Sequence, residues 1–477
     1  MTTGPAGSHD PVPAASGSTP SESGAADPSP TRDLVPFRDA LRVWFLISLQ
    51  TFGGPAGQIA VMQRVLVDDR RWIGQRRFSH ALNYCMLLPG PEAQQLSIYV
   101  GWLLNGTRGG IAAGTLFVLP GVVALGALSA IYVAYGDTTA VSAVFAGLAP
   151  AVLAIVAQAV LRVAGRALTH PALIALAVAA FAALAVFAVP FPIVIALAAL
   201  AGWVLSRRVP GFADTPHGGD DKSGPAPVIA DDALHDDRPT RGRFVRILAI
   251  GLGLWAAPVV AVVAVFGVHS IFTTQGLFFS FTAVVTFGGA YAVLAFIAQQ
   301  AVETYGWLAP GEMVRGLALA ETTPGPLIMV VQFVGFLAAY RNPGGLDPWV
   351  AAALGALLVT WVTFVPCFLF ILLGAPYVER LRHNTAISAA LTGITAAVVG
   401  VIANLALYFA LNTLFTATSV WTWGPVRMTL PELATVNPVA VGITLIAFVL
   451  TFALRWPILR VLGVCAALGL ASILLPL

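Results

Sequence analysis

Apolar positions along this chain come in long unbroken runs. They show neither the alternation of a half-buried strand nor the narrow stripe of a soluble helix. The runs read as roughly 41–63, 78–104, 109–135, 139–163, 171–188 and 191–206, then 244–268, 272–298, 311–340, 348–375, 385–412, 437–454 and 457–476. Most are about 17–27 residues long, the length at which a helix crosses a bilayer; barrel strands are shorter and alternate. The predicted fold class is therefore an all-α polytopic membrane protein. Residues 1–36, rich in Pro, Ser, Gly and Ala, read as a disordered tail, and they carry no apolar core of a signal peptide. The polar stretch 207–243, with Asp220, Asp221, Asp231, Asp232, Asp236 and Asp237, reads as a cytoplasmic linker.

Composition narrows the class. Of the 477 residues 58% are hydrophobic and 10% charged, with a net charge of +3, whereas soluble domains are about 25% charged. A soluble enzyme and a nucleic-acid binder are excluded for most of the length. Cys85, Cys367 and Cys465 lie inside apolar runs without CxxC spacing, and no two of the seven histidines stand three or four apart. Packed thiols are expected, with no metal and no cofactor. There is no GxxxxGK[ST], HExxH or GxSxG with triad partners, so neither an ATP-driven pump nor an enzyme is expected.

The two sides of the linker repeat each other. Thr51-Phe-Gly-Gly54 returns as Thr286-Phe-Gly-Gly289, Trp72 as Trp307, and Pro89-Gly-Pro91 as Pro324-Gly-Pro326, all at an offset of 235. Across 51–91 and 286–326 there are eleven identities in 41 positions. Pro120 matches Pro366 and Gly147 matches Gly393 at an offset of 246. The units are a first repeat at 37–206, an extra helix at 244–271 and a second repeat at 272–477. That extra segment turns the second unit over.

The loops agree, because Lys and Arg favour the cytoplasmic side. Loop 64–77 has Arg64, Arg70, Arg71, Arg76 and Arg77, whereas its counterpart 299–312 has Glu303 and Glu312 and no base. The other loop pairs exchange their basic member in the same way, so an inverted repeat is predicted. One conflict remains. If every segment crosses once, loop 64–77 lies opposite the linker. The conflict disappears if 41–63 and 78–104 each enter and return on one side, and whether they span or re-enter stays open.

Both segments are interrupted, by Phe52-Gly53-Gly54-Pro55 and by Pro89-Gly90-Pro91. Proline removes amide donors and glycine admits close backbone approach. Pro91 and Pro326 are expected at the first position of a new half-helix, whose free N–H groups and positive dipole end would face the break. Two such ends make a site for an oxyanion. The expected contacts are the backbone around Gly53, Gly54, Pro55, Pro89, Gly90, Pro91, Gly288, Gly289, Pro324, Gly325 and Pro326. Packing glycines and hinges are the alternative reading.

Two carboxylates, Glu92 and Glu321, lie deep in apolar runs beside the Pro-Gly-Pro corners, and intramembrane carboxylates are functional candidates. They are expected to tune charge and selectivity together with Gln95. Arg315 is the expected cation near the second break, or else an interfacial arginine. Trp421-Thr-Trp423 reads as an interfacial belt.

At these residues the sequence resembles the chromate ion transporter family in its long, two-domain form. The matching stretches are Thr51-Phe-Gly-Gly-Pro-Ala-Gly-Gln-Ile-Ala-Val-Met62, Leu88-Pro-Gly-Pro-Glu-Ala-Gln-Gln95, Thr286-Phe-Gly-Gly-Ala-Tyr-Ala-Val-Leu294, Glu321-Thr-Thr-Pro-Gly-Pro326 and Gln332-Phe-Val-Gly335. The resemblance spans about 37–477, apart from the linker. It implies a multi-pass protein of the plasma (inner) membrane that exports chromate and confers chromate resistance, with sulfate as a competitor. It also implies two homologous halves of opposite orientation. The expected partners are the bilayer and the anion, with no nucleic acid, and a homodimer is left open. Competing readings are a transporter of sulfate or a related tetrahedral oxyanion, including proton-coupled uptake, a passive anion channel, and an intramembrane enzyme.

Overall fold

The computed structural model describes residues 33–208, 227–229, 241–287, 289–375 and 385–474. The tail before residue 33, Gly288 and most of the 207–243 linker lie outside the described residues. The apolar runs are helical, as they must be where lipid offers the backbone no hydrogen bonds. In chain order the helices are α1 (Phe37–Ser48), α2 (Gly54–Gln63), α3 (Gln75–Leu87), α4 (Glu92–Tyr135), α5 (Thr139–Ala167), α6 (Pro171–Ala185), α7 (Phe191–Arg208) and α8 (Arg241–Phe266). They continue with α9 (Ile271–Val285), α10 (Ala290–Gln299), α11 (Glu312–Thr322), α12 (Val330–Arg341), α13 (Pro348–Gly374), α14 (Thr385–Leu414), α15 (Pro438–Phe448) and α16 (Ile458–Ala471).

The order in one half matches that in the other. In each, two broken segments precede the longer helices, and α2 and α10 both run on into a π-helical turn, Arg64–Asp69 and Gln300–Thr304. Six helices among the described residues are long and apolar enough to cross a membrane: α4, α5, α7, α8, α13 and α14. The half-helices are not. With 12 residues in α1, 10 in α2 and 13 in α3, each rises only about 15–20 Å, against a hydrocarbon thickness of about 30 Å.

The contacts say where these half-helices go. Leu34 N–H donates to Leu104 O and Asn105 Nδ2 to Val35 O, so α1 begins where the first arm of α4 ends. Asn105 and Gly106 leave helical geometry there. The second arm of α4 folds back along the first through Gly101 and Gly109, each too close to the other to carry a methyl group. It ends with Tyr132 bonded to Glu312, on the far side of the break. The loop between α2 and α3 pairs with the linker: Ile229 N–H donates to Trp72 O and Gly74 N–H to Ile229 O. The loop between α2 and α3 therefore lies beside the described part of the linker.

In the second half the corresponding contacts tie the end of α12 to the loop before α11. Arg341, ending α12, donates to Trp307 O and to the Glu312 carboxylate. The Trp307 ring packs on Phe278 and Phe279 of α9 and stacks on Tyr305 at 4.4 Å. Residues 265–272 line one cleft together with Thr274, Tyr305, Trp307, Asn342 and Gly344.

The long helices interlock. α5 packs against α15 and α16, and α14 packs against α6 and α7. Glycine makes both contacts possible. Gly147 lies against Gly469, and Gly393 against Gly202, with no room for a Cβ at any of the four. Helix α8, outside the repeat, has no buried residue and is held by Trp255 Nε1 donating to Val362 O and Trp361 Nε1 to Leu254 O. Segment 413–436 is more than a loop. It holds an exposed hairpin of β1 (Thr418–Trp423) and β2 (Val426–Pro431), with Trp421 and Trp423 on a strand whose β-branched and aromatic residues favour extended backbone.

Candidate functional site

The two Pro-Gly-Pro corners have the same backbone. Helix α3 stops at Leu88 (ψ 149°) and α11 at Thr323 (ψ 150°), both extended. Gly90 (φ 119°) and Gly325 (φ 109°) follow in a region that L side chains avoid. Pro91 (ψ 106°) and Pro326 (ψ 135°) are still extended. This corrects the expected register. The prolines cap the new helices from just outside, and the first helical residues are Glu92 and Leu327. The other two breaks turn on Gly53 (φ 78°), with Pro55 in the first turn of α2, and on Gly289 (φ 98°).

All four breaks meet. Gly90 N–H donates to Thr286 O at 2.8 Å, and Gly325 N–H donates to Thr51 O at 2.9 Å. Each Pro-Gly-Pro corner is thus bonded to the Thr-Phe-Gly-Gly break of the opposite half. Gln58 Nε2 donates to Gly325 O at 2.6 Å, and Gln95 Nε2 to Pro89 O at 2.7 Å. The long helices close the ring in matching positions. Gly121 of α4 abuts Pro324 O, and Cys367 of α13 abuts Gly90. Gln332 Nε2 donates to Val122 O at 2.9 Å.

Helices α2, α4 and α10 and the 3-10 turn Leu327–Met329 leading into α12 therefore all start at this junction, four helix starts where two were expected. Their first amides have no partner within their own helix, and the dipoles add positive potential. Gly53, Pro55, Pro89, Gly289, Pro324 and Glu92 keep partial exposure, while Gly54, Gly90, Pro91, Gln95, Glu321, Gly325 and Pro326 are buried. Small anions with several acceptor oxygens are the species such a cluster holds best. Gln94 has no partner for either amide atom, and Gln95 Oε1 and Gln332 Oε1 are also unpaired. Among the described residues no three His, Cys, Asp or Glu side chains gather in a metal-binding group.

The carboxylates take up different positions. A Cβ built on Gly289 would stand 3.4 Å from Glu92 Oε1, so Glu92 reaches the second half's break from the start of α4. Glu321 accepts a 2.7 Å hydrogen bond from Tyr291 OH, and that hydroxyl lies 3.4 Å from where a Gly54 Cβ would stand. Arg315 is not at the break. Its Nη1 donates to Tyr132 OH at 3.2 Å, beside the Glu312–Arg341 pair, because it sits at the loop end of α11. Arg162 of α5 is exposed and donates to Gln158 of its own helix. Gln58 and Tyr291 are the junction residues that sequence reasoning missed. Gln58 aligns with Val293 and Tyr291 with Ala56, so a search for shared positions passes over both.

A family model described as "Chromate transporter" matches residues 38–203 and 273–470. The "Chromate transport protein" of Pseudomonas aeruginosa is 31% identical over 363 residues, covering 74% of this chain and 76% of the relative. The protein of the same name from Cupriavidus metallidurans is 26% identical over 400 residues, covering 82% and 87%. An uncharacterized transporter of Methanocaldococcus jannaschii is 24% identical over 369 residues, covering 76% and 82%. No solved structure matches.

Proposed function

The chain belongs to the chromate transporter family, and on that premise we propose that it is a secondary transporter, not an enzyme, that moves chromate out across the plasma membrane. The reading rests on the reciprocal bonds from Gly90 to Thr286 and from Gly325 to Thr51. They bring all four breaks and both carboxylates to one junction, which suits an inverted repeat with a single anion site. Chromate is held by amides at the breaks, around Gly53, Gly54, Gly90, Gly289 and Gly325, with Gly288 assigned by the repeat alone. Pro55, Pro89, Pro91, Pro324 and Pro326 fix the backbone there, and Glu92, Glu321 and Gln95 set charge and selectivity. Glu92 stands at the positive end of α4, where it and the anion compete for the same amides.

The membrane potential supplies the driving force. An inside-negative potential favours exit of a dianion by about 4.6 kcal/mol per 100 mV. At about 1.4 kcal/mol per decade, that holds a ratio on the order of a thousandfold. Because each half lends its long helix to the other half's final pair, the bodies that rock in alternating access are bundles of mixed origin. Sulfate, of the same charge and shape, is the expected competitor, and a homodimer is compatible with this scheme.

The test is chromate uptake into inside-out vesicles, competed by sulfate and molybdate, together with the resistance of cells. Pro91→Ala and Gly90→Leu are expected to lose both while reaching the membrane at normal levels. Intact resistance in both would remove the site assignment. Flux that does not saturate would favour a channel.

A further inference from the structure

The two carboxylates of the junction stand at opposite ends of helix dipoles. Glu92 is the first residue of α4, where free amides and the positive end favour a carboxylate. Glu321 is the penultimate residue of α11, where the negative end disfavours one. Glu321 is 1% exposed. Its Oε1 accepts from Tyr291 OH, and its Oε2 is buried with no hydrogen-bond partner. The titratable group bonded to it is Tyr291 from α10; Arg162 of α5 acts on it only through space, and its exposed guanidinium donates to Gln158. Helices α4, α12 and α16 also pack on α11, and the titratable group that α4 brings to the junction is Glu92 at its start. Glu312 and Arg315 lie at the other end of α11.

A carboxylate with one donor and one bare oxygen is costly to bury, and a dianion bound beside it makes the ionised form costlier still. A neutral carboxyl reverses both terms, because a proton on Oε2 becomes a donor where none is present. We propose that Glu321 is a proton-binding site linked to the anion site, so that the protein takes up one proton on Oε2 from the loading side as it binds its dianion, and releases both together. The inference rests on the anion-transport reading above. The moving unit then carries a net charge of −1, still driven outward by the membrane potential.

The full-length protein in detergent is titrated by calorimetry at pH 8 and above, where chromate and sulfate are both dianions, in two buffers of different ionisation enthalpy. The wild type is expected to take up about one proton per anion, and its affinity to fall by up to about tenfold per pH unit. Glu321→Gln should bind with no proton uptake and with an affinity flat in pH. Tyr291→Phe, which removes the donor to Oε1, should move the midpoint of the pH dependence to higher pH, and it keeps the question answerable if Glu321→Gln does not fold. Absence of proton uptake by the wild type, uptake undiminished in Glu321→Gln, or a midpoint unmoved in folded Tyr291→Phe would each overturn the proposal. If the wild type binds sulfate with a proton but not chromate, the linkage stands and the chromate assignment fails.

Discussion

Glu312 shows what a buried carboxylate looks like when its charge is fully matched. It is 6% exposed and accepts four hydrogen bonds, from Tyr132 OH, Ala309 N–H and two nitrogens of Arg341. Glu321 has one. The difference separates a carboxylate that ties α4, α11 and α12 together from one left free to titrate. Removing Arg341 strands a buried charge, which costs about 3–5 kcal/mol when a buried pair is broken from one side. Arg341→Met should therefore lower the melting temperature of the detergent-purified protein, and adding Glu312→Gln should recover much of the loss. Equal melting of wild type and Arg341→Met would show that the pair contributes nothing. This network was illegible in the sequence. The pattern offers Glu312 only as a loop acid and leaves Arg315 either near the break or at the interface, because the partners stand 29 and 180 residues away from Glu312. Gln58 was missed for a related reason, since it bonds a backbone carbonyl and a carbonyl leaves no trace in a residue pattern.

The broken helices were the most legible elements. Proline without an amide and glycine at positive φ interrupt a helix whatever surrounds them, so the four breaks could be located from Pro, Gly and the repeat. The pairing across the halves could not, because amide-to-carbonyl bonds are available to any residue. The two corners also differ in what surrounds them. A Cβ on Gly90 would stand 2.9 Å from Cys367 Sγ and 3.0 Å from Gln95 Nε2, whereas the nearest atom to one on Gly325 is Gly121 Cα at 3.4 Å. Gly90→Ala therefore meets crowding as well as backbone strain, and Gly325→Ala meets strain alone, about 1–3 kcal/mol. Both should lower transport in vesicles. Adding Cys367→Ala should restore part of the activity to Gly90→Ala and none to Gly325→Ala. Rescue of both, or of neither, would mean that the corners are not held as described.

At the scale of the whole molecule, the direction of the hairpins decides how an anion reaches the junction. If the first-half hairpins open to the linker's face and the second-half hairpins to the other, the junction lies at the tips of both pairs, and neither face needs a continuous pore. The arginines of loop 64–77 then collect on the linker's face with Arg162, Arg166, Arg207 and Arg208, a positive mouth that raises the local concentration of anions. Charge counting in the sequence poses this as a conflict with simple crossings, and the contact that makes it testable is the β-bridge between Ile73 and Ile229. Residues bridged in this way stand about 5 Å apart, within the range a disulfide spans. The native cysteines are buried, so the background is low. Ile73→Cys combined with Ile229→Cys should form a bond on mild oxidation in native membranes, seen as a fragment shift after cleavage between the two positions. Before oxidation both thiols should react with a membrane-impermeant maleimide from the same side. Labelling from opposite sides would make 41–63 and 78–104 spanning helices, place the arginines of that loop away from the linker, and leave the two pairs of half-helices without a common junction.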